Sequence, residues 1–103
     1  MMTDQILLFS ALIIAAYLLG SVPFGLIFTK ISGRGDIRGI GSGNIGATNV
    51  LRTGSRKLAG LTLIFDAGKG SVAVAVASHF AGSQMAAVAG LLVVAGHCFP
   101  IWL

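Results

Sequence analysis

Three long apolar stretches, separated by one long and one short polar connection, dominate the pattern of the chain. Residues 5–29 contain no charged side chain, and a helix from Ile6 to Thr29 would measure about 36 Å at 1.5 Å per residue. That length crosses a hydrocarbon layer about 30 Å thick. Residues 58–80 and 84–103 form the second and third apolar stretches. The pattern predicts an all-α integral membrane protein with about three transmembrane helices.

Glycine and proline mark the places where these helices should bend or end. Pro23 lies within the segment Gly20–Gly25, and its missing N–H predicts a kink or break there. Such a break at membrane depth either packs against protein or lines a polar cavity, and both roles stay open. Residues 78–84 are expected to form a short external loop. Small residues suited to close helix packing occur before, within and after it, at Ala73, Ala77, Gly82, Ala86 and Gly90.

The composition excludes an ordinary soluble domain. Apolar residues make up 55% of the chain and charged residues 10%, whereas a soluble domain carries about 25% charged residues. A chain of 103 residues is one domain at most, and in water it cannot bury this much apolar surface. We therefore predict a single membrane domain over residues 1–103 with the lipid bilayer as its partner.

The charges are placed asymmetrically. The net charge is +4, and six of the seven basic residues lie within residues 30–57. Because basic loops stay on the cytoplasmic side of a membrane, we expect this connection to be cytoplasmic and the N-terminus to lie outside. A nucleic acid partner is not expected, since no soluble surface would present the basic residues. The single cysteine, Cys98, excludes an internal disulfide and is interpreted as a small buried residue.

The most polar part of the chain is the stretch Gly41–Arg52, with the sequence GSGNIGATNVLR. Glycines allow a tight turn whose N–H groups approach a ligand, and hydroxyls, amides and a guanidinium donate hydrogen bonds to an oxyanion. A short interfacial helix within residues 47–57 would place this turn at a helix N-terminus, where anions are favoured. We predict a phosphate-binding loop formed by Gly41, Ser42, Gly43, Asn44, Gly46, Thr48, Asn49 and Arg52.

Three of the ionisable residues within the second and third predicted helices are candidates for a functional role. Asp66 and Lys69 share one helix face, and charges at membrane depth indicate either a functional site or a mutually neutralising structural pair. His97 lies near the inner end of the third helix, on the side of the membrane that the glycine-rich stretch should occupy. Both a structural and a functional role stay open for it.

Several familiar sites are excluded by the residues present. Gly41, Gly43 and Gly46 match a dinucleotide fingerprint, but no hydrophobic strand leads into them. The same stretch matches a P-loop except at Ala47, which stands where the phosphate-binding lysine is required. No aspartate follows either histidine at the fifth position, so a His–Asp acyltransferase pair is absent. Two His, one Cys and three acidic residues are scattered along the chain, and we predict neither a metal nor another cofactor.

Five runs of residues together resemble the PlsY family, the bacterial acyl-phosphate:glycerol-3-phosphate acyltransferases of the inner membrane. They occur in the order and spacing typical of that family, and they are Gly20–Gly25 (GSVPFG), Asp36–Arg38 (DIR), Gly41–Arg52, Asp66–Gly70 (DAGKG) and Gly96–Pro100 (GHCFP). The resemblance covers essentially the whole chain but only about half of the family's length. Blocks that follow in the family do not occur here, so we expect this chain to be the N-terminal part of a longer enzyme. This part is not expected to catalyse the reaction by itself.

The resemblance implies an enzyme that moves a fatty acyl group from acyl phosphate to the 1-hydroxyl of sn-glycerol 3-phosphate. It also implies a cytoplasmic active site without metal or coenzyme A, in which Ser42 and Arg52 are critical. We expect Lys69 to add positive charge, with Asp66 and His97 in support. The competing interpretation is a non-catalytic membrane protein or a part of an anion transporter that binds phosphate through the same loop. The sequence does not determine an oligomeric state.

Overall fold

A computed structural model describes residues 2–102, and every regular element in that range is helical. The elements in chain order are helix α1 (Met2–Gly20), helix α2 (Phe24–Ile31), a 3₁₀ turn (Ile37–Gly39), helix α3 (Ala47–Leu51) and helix α4 (Arg56–Cys98). The chain divides into two compact units, the first holding residues up to Val22 and from Gly68 onward, and the second holding Pro23–Ala67.

The first apolar stretch forms two helices, because α1 ends at Gly20 and α2 begins after Pro23. The break predicted from Pro23 is therefore confirmed. The backbone N–H of Ser21 donates to the Tyr17 carbonyl at 2.9 Å, and the Ser21 hydroxyl donates to the same carbonyl at 2.8 Å. This pair of hydrogen bonds closes the last turn of α1 immediately before the break.

Helix α4 is interrupted at Gly82, where φ is 85° and ψ is 179°. That backbone conformation is essentially restricted to glycine. Across the interruption a Cβ atom at Gly90 would lie 3.4 Å from Val74, and one at Gly70 would lie 3.9 Å from Val93. These contacts show that the two halves of α4 run antiparallel beside each other. The expected loop at residues 78–84 is wrong in extent, since the turn requires only Gly82 and helix continues on both sides of it.

The first unit has a core of small side chains contributed by α1 and both halves of α4. Its buried members are Ala16, Ala73, Ala77, Ala89 and Val93. The helix-packing role predicted for Ala73 and Ala77 is confirmed by their burial. The same holds for Ala86, which is 8% exposed, whereas Gly82 is exposed and serves as the turn.

Two glycines mark a close approach between helices of the first unit. A Cβ atom at Gly96 would lie 2.8 Å from the Ser21 nitrogen and would also meet the Tyr17 carbonyl oxygen. A Cβ atom at Gly20 would in turn lie 2.7 Å from the Cα atom of Val93. Backbone therefore contacts backbone here, and α1 can pack against the second half of α4 only because both positions lack a side chain.

The second unit has a separate core beneath its polar connection. Leu26, Ile37, Ile45 and Val50 are its buried members. Three aromatic rings pack beside α2, with centroid separations of 5.1 Å between Phe24 and Phe65 and 5.3 Å between Phe28 and Phe65. This core fixes the 3₁₀ turn, which precedes the glycine-rich stretch, and α3, which lies within it.

The outer faces of the long helices are apolar. Two helical segments, Met2–Ile31 and Arg56–Cys98, are long and apolar enough to cross a membrane, and only 17% and 22% of their most apolar windows are buried. Large apolar side chains such as Ile14, Leu63 and Leu91 are exposed. Such extensive exposed apolar surface is unfavourable in water and is typical of a lipid-facing protein. Cys98 is also exposed, so the expectation that it is buried is wrong.

Candidate functional site

The glycine-rich stretch begins with a turn over residues 41–46, called the glycine turn below, which leads directly into α3. Gly41 and Gly43 have φ values of 52° and 75°, a left-handed backbone that favours glycine. Asn44 accepts a hydrogen bond from the Gly46 N–H at 2.9 Å through its Oδ1 atom, and Gly46 precedes the first residue of α3. The side chains of Ser42 and Asn44 are exposed. The sequence prediction of a glycine turn before a short helix is confirmed, although α3 ends at Leu51 and is shorter than expected.

Arg52 follows α3, and its side chain returns to the glycine turn. Its Nη1 atom donates to the Ser42 hydroxyl at 3.3 Å and to Asn49 Oδ1 at 3.1 Å. A Cβ atom at Gly41 would lie 2.8 Å from this same Nη1 atom, so the guanidinium lies against the Gly41 backbone. Within residues 2–102, the hydrogen bonds found for the guanidinium involve Nη1, while a guanidinium carries five N–H donors in all. The exposed Arg52 is therefore held over the turn with donors left for an oxyanion.

Asn49 lies underneath this arrangement and is only 1% exposed. Its Nδ2 atom donates to three carbonyl oxygens, those of Ile37 at 2.8 Å, Ile40 at 2.9 Å and Asn44 at 2.7 Å. The structure thus brings together Ser42, Asn44, Asn49 and Arg52, as the sequence predicts. It places Thr48, another predicted phosphate ligand, on the exposed side of α3.

Three other basic residues of the polar connection, Lys30, Arg34 and Arg38, have partners of their own. Asp36 forms an ion pair with Arg38, whose Nε donates to Oδ1 at 2.9 Å, and Lys30 Nζ lies 3.7 Å from Asp36 Oδ2. The hydrogen bonds from Arg38 hold the pKa of the Asp36 carboxyl well below its usual value, and those same bonds raise the pKa of Arg38. Arg34 donates to the Thr53 carbonyl at 2.8 Å. These contacts distinguish Arg34 and Arg38 from Arg52, which lies over the glycine turn.

Lys69 belongs to the first unit, where it is 4% exposed. Its Nζ atom donates to the carbonyl oxygens of Gly20 at 2.7 Å and Val22 at 3.1 Å. Carbonyls at the end of a helix lack partners within that helix and carry partial negative charge, so an ammonium stabilises them. Lys69 therefore caps the broken end of α1. The sequence contained two signals for this contact, the helix break at Pro23 and a lysine within an apolar stretch. Nothing in the sequence indicated that the two meet.

His97 contacts the same ammonium. Its Nδ1 atom lies 2.9 Å from Lys69 Nζ. An ammonium only donates hydrogen bonds, so a charged Lys69 would make Nδ1 the acceptor of this contact. Lys69 and His97 are thus brought together in one unit, while Asp66 belongs to the other. That His97 lies on the same side of the membrane as the glycine-rich stretch stays a prediction.

Among residues 2–102, no group of three or more His, Cys, Asp or Glu side chains lies close enough together to hold a metal ion.

The chain matches a protein-family model. The model described as glycerol-3-phosphate acyltransferase matches residues 10–103. The chain is 63% identical over 87 residues to a glycerol-3-phosphate acyltransferase of Maricaulis maris, an alignment that covers 84% of this chain and 40% of that protein. It is 56% identical over 101 residues to the protein of the same name from Rhizobium etli, covering 98% of this chain and 48% of that protein. The chain spans less than half the length of these relatives.

Two solved structures share the fold. One is a crystal structure of PlsY, an integral membrane glycerol 3-phosphate acyltransferase, in its glycerol 3-phosphate form. It aligns with a TM-score of 0.85 and 39% identity, covering 92% of this chain and 48% of that chain. The second, a lysophosphatidic acid form, aligns with a TM-score of 0.81 and 37% identity over 92% of this chain and 47% of that chain.

Proposed function

Because the chain belongs to the glycerol-3-phosphate acyltransferase family, we propose that its gene product transfers a fatty acyl group from acyl phosphate to the 1-hydroxyl of sn-glycerol 3-phosphate. The products are lysophosphatidic acid and inorganic phosphate. The new ester C–O bond forms as the bond between the acyl carbon and the phosphate oxygen breaks. The structures of the similar PlsY in glycerol 3-phosphate and lysophosphatidic acid forms support this choice of acceptor and product.

The observation that carries the proposal is the position of Arg52 over the glycine turn. Acyl phosphate is a mixed anhydride, glycerol 3-phosphate is a phosphate ester, and the reaction releases the phosphate of the first as inorganic phosphate. A guanidinium binds two phosphate oxygens at once with charge-assisted hydrogen bonds, which is a geometry that lysine cannot reproduce. In our proposal the guanidinium of Arg52 holds a substrate phosphate, and the Ser42 hydroxyl donates to one of its oxygens.

The same contacts stabilise the transition state. Negative charge grows on the leaving phosphate and on the carbonyl oxygen as the acyl carbon is attacked, and fixed donors lower the energy of that charge. The turn residues Gly41, Gly43 and Gly46 let backbone approach the anion closely. The leaving phosphate accepts the proton of the attacking hydroxyl, so no further base is needed among these residues. Alignment of the two substrates supplies much of the remaining acceleration.

We propose that three helical segments cross the bacterial inner membrane and that the polar connection faces the cytoplasm. The Gly82 turn supports the third crossing, because it divides α4 into two antiparallel halves. The excess of basic residues within residues 30–57 supports the cytoplasmic placement of the glycine-rich stretch. Substrate access from the cytoplasm follows from this topology.

The proposed activity is tested with membranes that contain the full-length gene product. We expect labelled glycerol 3-phosphate and acyl phosphate to yield labelled lysophosphatidic acid and stoichiometric phosphate. Membranes from cells without the gene are the control. Binding of glycerol 3-phosphate without any product would contradict the proposal and favour the non-catalytic, phosphate-binding alternative.

We propose that Lys69, in addition to capping α1, contributes positive charge that acts on substrate. Asp66 and His97 are proposed to support Lys69 in this role. Lys69→Gln keeps a hydrogen-bond donor for the two carbonyls but removes the charge. If the charge acts on substrate, we expect kcat/KM to fall by about tenfold or more while the protein stays folded. The measurement is steady-state acyl transfer on protein whose thermal unfolding in detergent matches the wild type. A folded glutamine variant with wild-type kcat/KM would leave Lys69 with the capping role alone.

A further inference from the structure

Asn49 has a buried polar side chain with four hydrogen-bond contacts in the second unit. The residue is 1% exposed, and both ends of its amide have partners. Nδ2 faces the carbonyl oxygens of Ile37, Ile40 and Asn44 at 2.7 to 2.9 Å, and Oδ1 accepts from Arg52 Nη1 at 3.1 Å. Three carbonyl acceptors on one side and a guanidinium on the other leave a single orientation of the amide that satisfies every contact.

These contacts do not suit a ligand for phosphate. A phosphate oxygen near Nδ2 would have to share the space with three carbonyl oxygens, each carrying partial negative charge. The two N–H bonds of Nδ2 are already divided among those three acceptors. Oδ1 is itself an acceptor and would repel an anion. The prediction from the sequence that Asn49 binds substrate therefore lacks support from the surroundings of this side chain.

We infer instead that Asn49 is a positioning residue for Arg52. Its amide nitrogen fixes the backbone between Ile37 and Asn44, and its amide oxygen holds the guanidinium over Ser42. The planar amide of Asn49 thereby fixes the distance between the glycine turn and the Arg52 guanidinium. Burial strengthens this effect, because loss of the amide nitrogen would take one hydrogen-bond donor away from each of three carbonyl groups beneath the turn. The inference rests on the proposed role of Arg52 in binding substrate phosphate.

Two substitutions separate the two ends of the amide. Asn49→Asp keeps an acceptor for Arg52 but turns a carboxylate oxygen toward the three carbonyls. Asn49→Ala removes both ends. If fixing the turn is essential, we expect both variants to lower kcat/KM by about 10- to 100-fold, because the carboxylate cannot donate to the backbone. Wild-type kcat/KM in Asn49→Asp would overturn the role of the amide nitrogen.

A double-mutant cycle with Arg52→Lys tests whether Asn49 acts through Arg52. We expect Asn49→Ala to cost about 10- to 100-fold in the wild-type background and less than about threefold in the Arg52→Lys background, since coupled residues are not additive. Equal losses in both backgrounds would overturn the inference. If Asn49→Ala does not accumulate, Asn49→Ser keeps one donor and serves in the same cycle. Leu51→Ala, an exposed neighbour on α3, is the matched control and should retain wild-type activity.

Hydrogen exchange gives a readout that does not depend on catalysis. The N–H groups of Ile40 and Gly43 donate within the turn to the carbonyls of Ile37 and Ile40, at 3.1 and 2.9 Å. We expect faster exchange of these amides in Asn49→Ala than in the wild type or in Leu51→Ala. Unchanged exchange would overturn the inference. If the wild type transfers no acyl group, the proposed function fails, and the exchange rates still decide whether Asn49 fixes the turn.

Discussion

Arg52→Lys is expected to lower kcat/KM for acyl transfer by about 100-fold. Most of this loss should come from a higher KM for the substrate whose phosphate Arg52 binds. Lysine keeps the positive charge but has no planar fork, so it cannot donate to Ser42 and to two phosphate oxygens in a fixed geometry. A loss of this size corresponds to about 2.7 kcal/mol of transition-state stabilisation, in the range found when one fixed donor to a developing oxyanion is removed. Steady-state kinetics with each substrate varied in turn provide the measurement.

Arg56→Lys is the matched control for this experiment. Arg56 lies four residues beyond Arg52 at the start of α4 and is exposed, so the same exchange there should leave kcat/KM within about twofold of the wild type. Equal kinetics for the wild type and Arg52→Lys would refute the assignment of Arg52 to a substrate phosphate. Equal losses in the two lysine variants would point to net charge and not to the bidentate geometry.

Gly96→Val is expected to destabilise the protein by about 3 kcal/mol or more, or to prevent its accumulation. Its Cβ atom would occupy the space of the Tyr17 carbonyl oxygen and the Ser21 backbone nitrogen. Backbone atoms cannot rotate away as a side chain does, so α1 must separate from the second half of α4. Thermal unfolding of the full-length gene product in detergent, followed by circular dichroism, measures the effect.

Gly68→Ala provides the contrasting case in the same helix. Among residues 2–102, no atom lies within 4 Å of a Cβ atom at Gly68 other than its own helix backbone and chain neighbours. Alanine is favoured over glycine in a helix interior by about 1 kcal/mol, so this variant should be as stable as the wild type or more stable. A Gly96→Val protein that unfolds at the wild-type temperature would show that the backbone contact is not needed for packing.

The fold was largely predictable from hydrophobicity and from two residues that restrict or free the backbone. Pro23 indicated the end of α1, because it removes a hydrogen-bond donor wherever it occurs. Gly82 was less clear from the sequence, where it matched a stripe of small packing residues with Ala86 and Gly90. Whether a glycine in a helix packs or turns depends on the neighbours that the folded chain supplies. Only the structure distinguished these two uses.

The candidate site was predictable as a set of residues and less so as a set of roles. Ser42, Asn44, Asn49 and Arg52 lie within eleven positions of one another in sequence and come together around one turn. Their residue types indicated hydrogen bonding to an anion, but a side chain amide donates equally well to a phosphate or to a carbonyl. Burial decides between these partners, and burial is a property of the core formed by residues distant in sequence.

The sequence by itself indicated the membrane environment, the helical elements and the hydrogen-bond donors that the stretch Gly41–Arg52 offers to an anion, because these follow from hydrophobicity, backbone preferences and functional groups that each residue carries alone. The tertiary structure alone decided that Arg52 rests on Gly41, that Asn49 faces inward and that Lys69 caps α1 beside His97. These relations join residues through distance and burial, which arise only when separate helices pack. The chemistry is local in sequence, whereas the orientation that makes it useful is a product of the fold.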